Sequence, residues 1–383
     1  MKTGTFPGKV GIQQRVLPHY RIPFFGRLSD LLPGRFEVFA GFPASGENIS
    51  TNSMEEVPFW SKTRNLHFLK GHLYLCWQRH LTAWLRQFSP EVLVCEANPR
   101  LLSNYPGIRW MKSRNLPVIG WGLGVLNWDL PGPLFFARRN LLSRFFSQFD
   151  ALIAYSNKAK EDFMELGFSA ERVFVAPNSV SSVDSELLSQ RIKENPNLLL
   201  EWQANFGLSD KFKILFVGRL LAQKRVEDLI EACSGLVGSC ELLIVGDGTE
   251  RERLEIFARE RCLDVRFLGH KTGEDLACCF GAADLFVLPG LGGLAVQEAM
   301  IYGKPVIVAT GDGTQGDLVE EGRNGFHITP GDIPALREKI EHCMANSAYL
   351  ERMGQESQRI IEGKQNIGSM AEGFLEAFNF VID

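Results

Sequence analysis

Between Leu285 and Val308 the chain reads LFVLPGLGGLAVQEAMIYGKPVIV, and these residue types suit an anion site. Glycines at 290, 292 and 293 let backbone N–H groups come close to a ligand. A helical segment, Ala295 to Tyr302, starts directly behind them, and the free N–H groups of a helix start favour negative charge. Glu298 is the one carboxylate of that segment, and a carboxylate near a phosphate loop commonly holds ribose hydroxyls. A buried turn with a solvated Glu298 fits the same residues, and the stretch alone leaves both readings open. Gly218-Arg219 ends an earlier apolar run, and Lys224 follows before a helix. Arginine grips phosphate oxygens in pairs and lysine adds a point charge, so the two would clamp a diphosphate if the sheet sets them beside the glycine loop. Taken singly, each is an ordinary surface residue. Arg21 also stands just past a strand at a helix start, where α/β ligand sites form; a surface arginine is the other reading.

Other signatures are missing. Gly246-Asp247-Gly248 has Arg251 where a dinucleotide fingerprint needs a third glycine. There is no GxxxxGK[ST], no Asp-x-Asp and no HExxH, so neither a P-loop nor the simplest metal motifs occur, and no metal or cofactor is expected.

Positioning these residues takes a parallel sheet. Short apolar runs alternate with helical stretches throughout, the rhythm of βαβ units. In the first half, strands are expected at Val10 to Val16, Phe36 to Gly41, Val92 to Cys95, Pro117 to Gly120, Ala151 to Tyr155 and Val173 to Ala176. A polar stretch, 181–211, with a helical piece at Leu198 to Phe206, reads as the connection between domains. The rhythm then restarts with Phe212 to Val217, Leu242 to Val245, Val265 to Leu268, Leu285 to Leu288 and Val306 to Ala309. Asn324-Gly325 signals a tight turn before a strand at Phe326 to Ile328. The expected class is α/β.

With 383 residues the chain has ample core for two or three domains. A net charge of −4 argues against nucleic acid as a main partner. The eight cysteines form no CxxC pair and mostly sit in apolar segments, so they read as free thiols of a reducing compartment. No apolar signal core opens the chain and no run is long enough to span a bilayer, so a cytoplasmic protein is expected. Two segments are basic, aromatic and free of acids: Phe59 to Phe88, and Pro133 to Phe149 with Arg138, Arg139 and Arg144. Such a composition suits peripheral contact with an anionic membrane face, here the inner one. A core helix, Leu73 to Leu85, with one solvated side is the competing reading of the first segment.

The segments GRLLAQKRVEDLIEA, LLIVGDGTERERLE, VRFLGH, ADLFVLPGLGGLAVQEAMIYGKPVIVATG and GRNGF, in this order, resemble the C-terminal domain of retaining glycosyltransferase family 4. RVLPHYRIPFF and AYSNKAKEDFMELGFSAERVFVAPN resemble its N-terminal domain. The resemblance implies the GT-B fold, two facing Rossmann-like domains with a cleft between them. It would give an acceptor-side domain at 1–180 plus a returning helix, 366–383, and a nucleotide-sugar-binding domain at 181–365. It implies a metal-independent transferase that moves a sugar from a nucleotide sugar to a glycan or lipid-linked glycan, as in polysaccharide biosynthesis. Arg219 and Lys224 then stabilise the leaving diphosphate, Glu298 holds the ribose, and Gly269 and His270 lie along the base. The N–H groups of the glycine loop, around Gly293 and Leu294, approach the phosphates, and Gly218 and Gly292 are further donor-binding residues. The family's first motif glutamate, a donor-sugar contact, falls on Gly290, and Leu123 stands where many members carry a catalytic histidine. Asp312, Thr314 and Gln315, or His19 with Arg21, are the alternative sugar or acceptor contacts. These departures leave room for a nucleotide-sugar epimerase or hydrolase, or for a non-catalytic nucleotide-sugar-binding subunit.

Overall fold

The computed structural model describes residues 6–44, 47, 49, 51, 57–69, 71–124, 133–180, 183–261, 263–311 and 313–382. The chain divides into two compact units, Met1–Val180 with Ile367–Asp383, and Ser181–Asn366.

The strands of the first unit are β1 (Val10–Val16), β2 (Phe36–Gly41), β3 (Trp60–Lys62), β4 (Asn65–Phe68), β5 (Leu75–Gln78), β6 (Val92–Glu96), β7 (Val118–Gly122), β8 (Ala151–Ala154) and β9 (Val173–Val175). Seven of them form one sheet in the order β3-β2-β1-β6-β7-β8-β9, every neighbouring pair parallel. Helices cover both faces, so the strands are apolar on both sides instead of alternating with polar residues. Val92, Val94, Ile119, Trp121, Ala151 and Ile153 pack into one core cluster. Leu93, Cys95, Val118, Leu152 and Ala154 pack into the other. The last helix, Ile367–Phe380, returns to the first of these clusters. Phe374 lies 4.9 Å, ring to ring, from both Phe24 and Trp121.

The second unit carries β10 (Phe212–Val217), β11 (Cys240–Val245), β12 (Val265–Gly269), β13 (Leu285–Leu288), β14 (Val306–Ala309) and β15 (Gly325–Ile328). They form one parallel sheet in the order β12-β11-β10-β13-β14-β15. The order reverses between β10 and β13. Ligands of open α/β sheets bind outside the carboxyl ends of the strands at such a switch point.

Two expectations need correcting. The segment from Phe59 to Phe88 is not one core helix from Leu73: it contains β3, the antiparallel hairpin β4–β5 and only a short helix, Leu81–Phe88. Its polar residues show why. Gln13, inside β1 and fully buried, donates from Nε2 to Gln78 Oε1 at 3.0 Å and to Ser103 Oγ at 3.2 Å, and Gln78 donates to Gln14 O at 2.8 Å. The extended β5 brings Gln78 to these partners, and buried polar groups must be paired. Next, residues 181–211 are more than a connection. They form the helices Val183–Glu194 and Pro196–Asn205, and Ile192 and Trp202 are buried. Asn324 stands in a turn directly before β15, as its Asn-Gly pair signals. It is fully buried, its Oδ1 accepts from Glu320 N at 2.7 Å and its Nδ2 donates to Leu318 O at 3.0 Å. The positive φ of that loop falls on Gly322.

Candidate functional site

The loops after β10, β11, β12 and β13 are tied to one another by backbone hydrogen bonds at the carboxyl edge of the second sheet. Gly218 N donates to Val245 O at 3.0 Å, Leu220 N to Asp247 O at 2.9 Å, Gly246 N to Gly269 O at 2.8 Å and Leu291 N to Gln223 O at 3.0 Å. Two glycines permit this closeness. A Cβ on Gly246, which sits at φ +133, would stand 1.9 Å from Gly218 O. A Cβ on Gly290 would stand 2.4 Å from Gln223 O and 2.7 Å from Lys224 O. Both contacts lie far inside van der Waals range, so the loops can touch only without side chains there. Gly246-Asp247-Gly248 is a weak fingerprint as sequence, but its packing role is definite.

Lys224 ends the 3-10 turn Ala222–Lys224, directly before the helix Val226–Ser234. Its Nζ donates to Leu291 O at 2.8 Å and to Gly292 O, and a Cβ on Gly293 would lie 3.3 Å from it. The lysine and the glycine loop, distant in the chain, are therefore in contact. Arg225, at φ +53, turns aside to pair with Asp228 at 2.5 Å. Arg219 follows β10 and is exposed, and no described residue pairs with its guanidinium. The edge thus presents one ammonium fixed to the loop and one guanidinium open to solvent.

Glu298 stands in the first turn of the helix Ala295–Ile301, half-buried. Ser185 Oγ donates to its Oε1 at 3.3 Å. Burial raises the Glu298 carboxyl above the ordinary carboxylate range, and the Ser185 hydrogen bond pulls in the opposite direction. Nothing in the sequence singled out Ser185, which approaches from the helix Val183–Glu194 in the stretch read as a connection. Just beyond the helix, burial lowers the Lys304 ammonium to about 8 while Nζ donates to Gly281 O at 3.2 Å and Ala283 O at 2.7 Å. Lys304 is thus turned to the helix Gly273–Ala282 and its exit.

Gly269 closes β12 at φ +70, and His270, next to it, is exposed. Leu294 caps the helix that bears Glu298. Thr314 opens a short helix, Thr314–Leu318, after β14, and Gln315 beside it is buried. Asp312 lies outside the described residues. His19 and Arg21 belong to the first unit. His19 is exposed in the turn His19–Arg21, whereas Arg21 is only 4% exposed. The Arg21 guanidinium donates to Asn178 Oδ1 at 2.5 Å and to Met370 Sδ at 3.4 Å, and lies 5.0 Å from the Trp121 ring and 5.3 Å from Tyr155. Leu123 follows β7 and is half-buried.

Residues 201–360 match the family described as glycosyl transferases group 1. An alpha-D-kanosaminyltransferase of Streptomyces kanamyceticus is 25% identical, over 58% of this chain and 58% of its own length. A lipopolysaccharide 1,6-galactosyltransferase of Salmonella typhimurium is 24% identical, over 73% of this chain and 72% of its own. The chain spans about half the length of the first curated relatives it matches. Among solved structures, HepE of Anabaena in complex with UDP-glucose has a TM-score of 0.72 and 19% identity, over 97% of this chain and 100% of that one.

Proposed function

We propose, from the match of residues 201–360 to the glycosyl transferases group 1 family and from the GT-B fold, that this chain is a retaining glycosyltransferase using a nucleotide-sugar donor. The observation that carries the reading is the contact of Lys224 with the glycine loop at the switch point of the second sheet, with Arg219 at the same edge. A donor diphosphate there has an ammonium on one side and a solvent-exposed guanidinium on the other. Loop N–H groups around Gly293 and Leu294 approach its oxygens, Gly218 leaves room across from them, and Gly269 and His270 flank the base. As the sugar departs, the bond between its anomeric carbon and the diphosphate oxygen breaks and negative charge grows on the diphosphate. The two cations act on that charge. The acceptor oxygen bonds to the same carbon on the same face, and its proton passes to the leaving diphosphate. With no Asp-x-Asp in the sequence, turnover is expected to persist in a chelator. The acceptor is a glycan or lipid-linked glycan, handled by residues of the first unit with the exposed His19 among them, while the buried Arg21 is held by Asn178 and Met370, and Asp312 and Thr314 are donor-sugar contacts.

Glu298 supplies the test of the nucleotide site. Its carboxylate accepts the ribose hydroxyls only when ionised. Because burial raises its pKa, the ionised form, and with it nucleotide affinity, is lost on acidification earlier than for an ordinary glutamate. Glu298→Gln should flatten that pH dependence, and Glu298→Ala should weaken binding by about 1.5–3 kcal/mol, the scale of hydrogen bonds to a charged group. Calorimetry with UDP, GDP and ADP sugars from neutral to acidic pH reads both effects and identifies the base. Unchanged affinity in a folded Glu298→Ala variant removes this residue from the site.

Peripheral membrane contact is part of the same proposal. Leu69, Leu73 and Phe68 are exposed on and beside the hairpin β4–β5, and Phe136 and Leu141 are exposed on the helix Pro133–Phe146 that bears Arg138, Arg139 and Arg144. Among the described residues no helix is long and apolar enough to cross a membrane. Each basic residue near an anionic surface contributes about 1 kcal/mol. Flotation with anionic vesicles should carry the protein upward, less so at high salt or after charge reversal at the three arginines. A protein that never floats at low salt would leave these side chains as plain surface.

A further inference from the structure

A cavity of 560 Å³ opens in the first unit at the carboxyl ends of β2 and β3, beside the start of the hairpin β4–β5. Phe42, Lys62, Arg64, Asn65, His67 and His80 line it, and among the described residues no carboxylate does. Two described acids of this region are engaged elsewhere. Glu47 holds Arg15 at 2.7 Å and accepts from Ala44 N at 2.9 Å. Glu37 accepts from Ser61 Oγ at 2.6 Å and from Trp84 Nε1 at 2.8 Å. Lys62 and Arg64 have no acidic partner among the described residues, and the Lys62 ammonium rests 4.9 Å over the Trp60 ring. Both cations are exposed, Lys62 at the end of the edge strand β3 and Arg64 in the link to β4.

The rest of the lining is built for a polyol with a flat apolar side. Phe42 is 47% exposed and braced by Trp60 at 5.3 Å. His67 uses Nδ1 to hold the Tyr74 hydroxyl at 2.8 Å. Asn65 is nine-tenths buried. Its Nδ2 is spent on Arg15 O at 2.7 Å and Phe42 O at 2.8 Å, while its Oδ1 is buried without a partner. Ligand pockets commonly combine an apolar wall, a few fixed polar groups and this range of volume. Paired cations without carboxylates favour an oxyanion, which arginine can take bidentately.

We propose that this cavity binds the phosphate of a phosphorylated sugar, so that the acceptor of this chain is an anionic saccharide. The word acceptor rests on the transferase reading; the binding site does not. The phosphate belongs either to a soluble sugar phosphate or to a lipid-linked sugar diphosphate. Titration of the full chain, saturated with UDP, with glucose 1-phosphate and with glucose tests the first source. Neutral phosphatidylcholine vesicles with and without a polyprenyl diphosphate sugar test the second. Binding in at least one arm, absent for glucose and for undoped vesicles, is expected to weaken at least tenfold in the Lys62→Ala/Arg64→Ala double variant. UDP affinity should be unchanged in that variant, because both residues lie outside the donor unit. No binding in either arm, or equal binding by wild type and variant, overturns the site. Loss of UDP binding in Glu298→Ala is read separately and tests the donor reading alone.

Discussion

Arg219→Ala should lower kcat by about 10²–10³ while raising donor Kd much less. A preorganised charge aimed at a developing anion typically contributes that much to turnover. Only interactions that strengthen on the way to the transition state accelerate the chemical step. The bound diphosphate is already anionic, so some ground-state binding is lost as well, but the larger loss belongs to the step in which the sugar departs. Arg219 is the cleaner of the two probes because its side chain holds nothing else among the described residues. Lys224→Ala should cost a similar factor, with an added loss in binding, because Nζ also ties down the carbonyls of Leu291 and Gly292. Single-turnover kinetics and donor titration on the same variants separate the terms. Equal losses in kcat and affinity for Arg219→Ala, or no loss, would remove it from the leaving-group role.

Placing glutamate at position 290, where the resembling family carries its first motif acid, should lower turnover about 10²-fold instead of improving it. The space that side chain would enter is filled by the backbone of residues 223 and 224. Backbone cannot rotate away as a flexible side chain can, so the turn Ala222–Lys224 must shift. Overpacking of this kind costs about 1–3 kcal/mol of stability. The turn delivers Lys224, and a displacement near 1 Å at a catalytic group can cost about 10²-fold in rate. Gly290→Ala should show most of the same loss, since the Cβ alone makes the clash. Thermal unfolding and turnover of the two variants check this. A Gly290→Glu protein with wild-type stability and activity would falsify the packing account. In this chain the close approach of the two loops leaves no room for a side chain at position 290.

The parallel α/β class and most strand positions were legible because buried strands of such a sheet are bare apolar runs, as Leu285 to Leu288 and Leu242 to Val245 show. Caps were legible for local reasons: Ser156 accepts from Ala159 N and Asp332 from Ala335 N. The hairpin β4–β5 was not, because its amphipathic spacing suits a helix and only the buried Gln13 and Gln78 decide for extended chain. The same holds for the sites. Residue type and local context marked Arg219, Lys224, the glycine loop and Glu298 as anion-handling groups. They could not show that Lys224 meets the loop, that Ser185 reaches Glu298, or that Gly290 must stay bare, since each depends on strands distant in sequence lying side by side. Nor could they show that Arg21 turns inward to Asn178 and Met370 while Lys62 and Arg64 stay outside at a cavity mouth. The sequence by itself determined which elements form and which chemistry its side chains can do, because those follow from neighbours along the chain. Which groups meet, and which face solvent, was decided by tertiary structure, because hydrogen bonding and burial across a sheet are settled by partners that no local pattern contains.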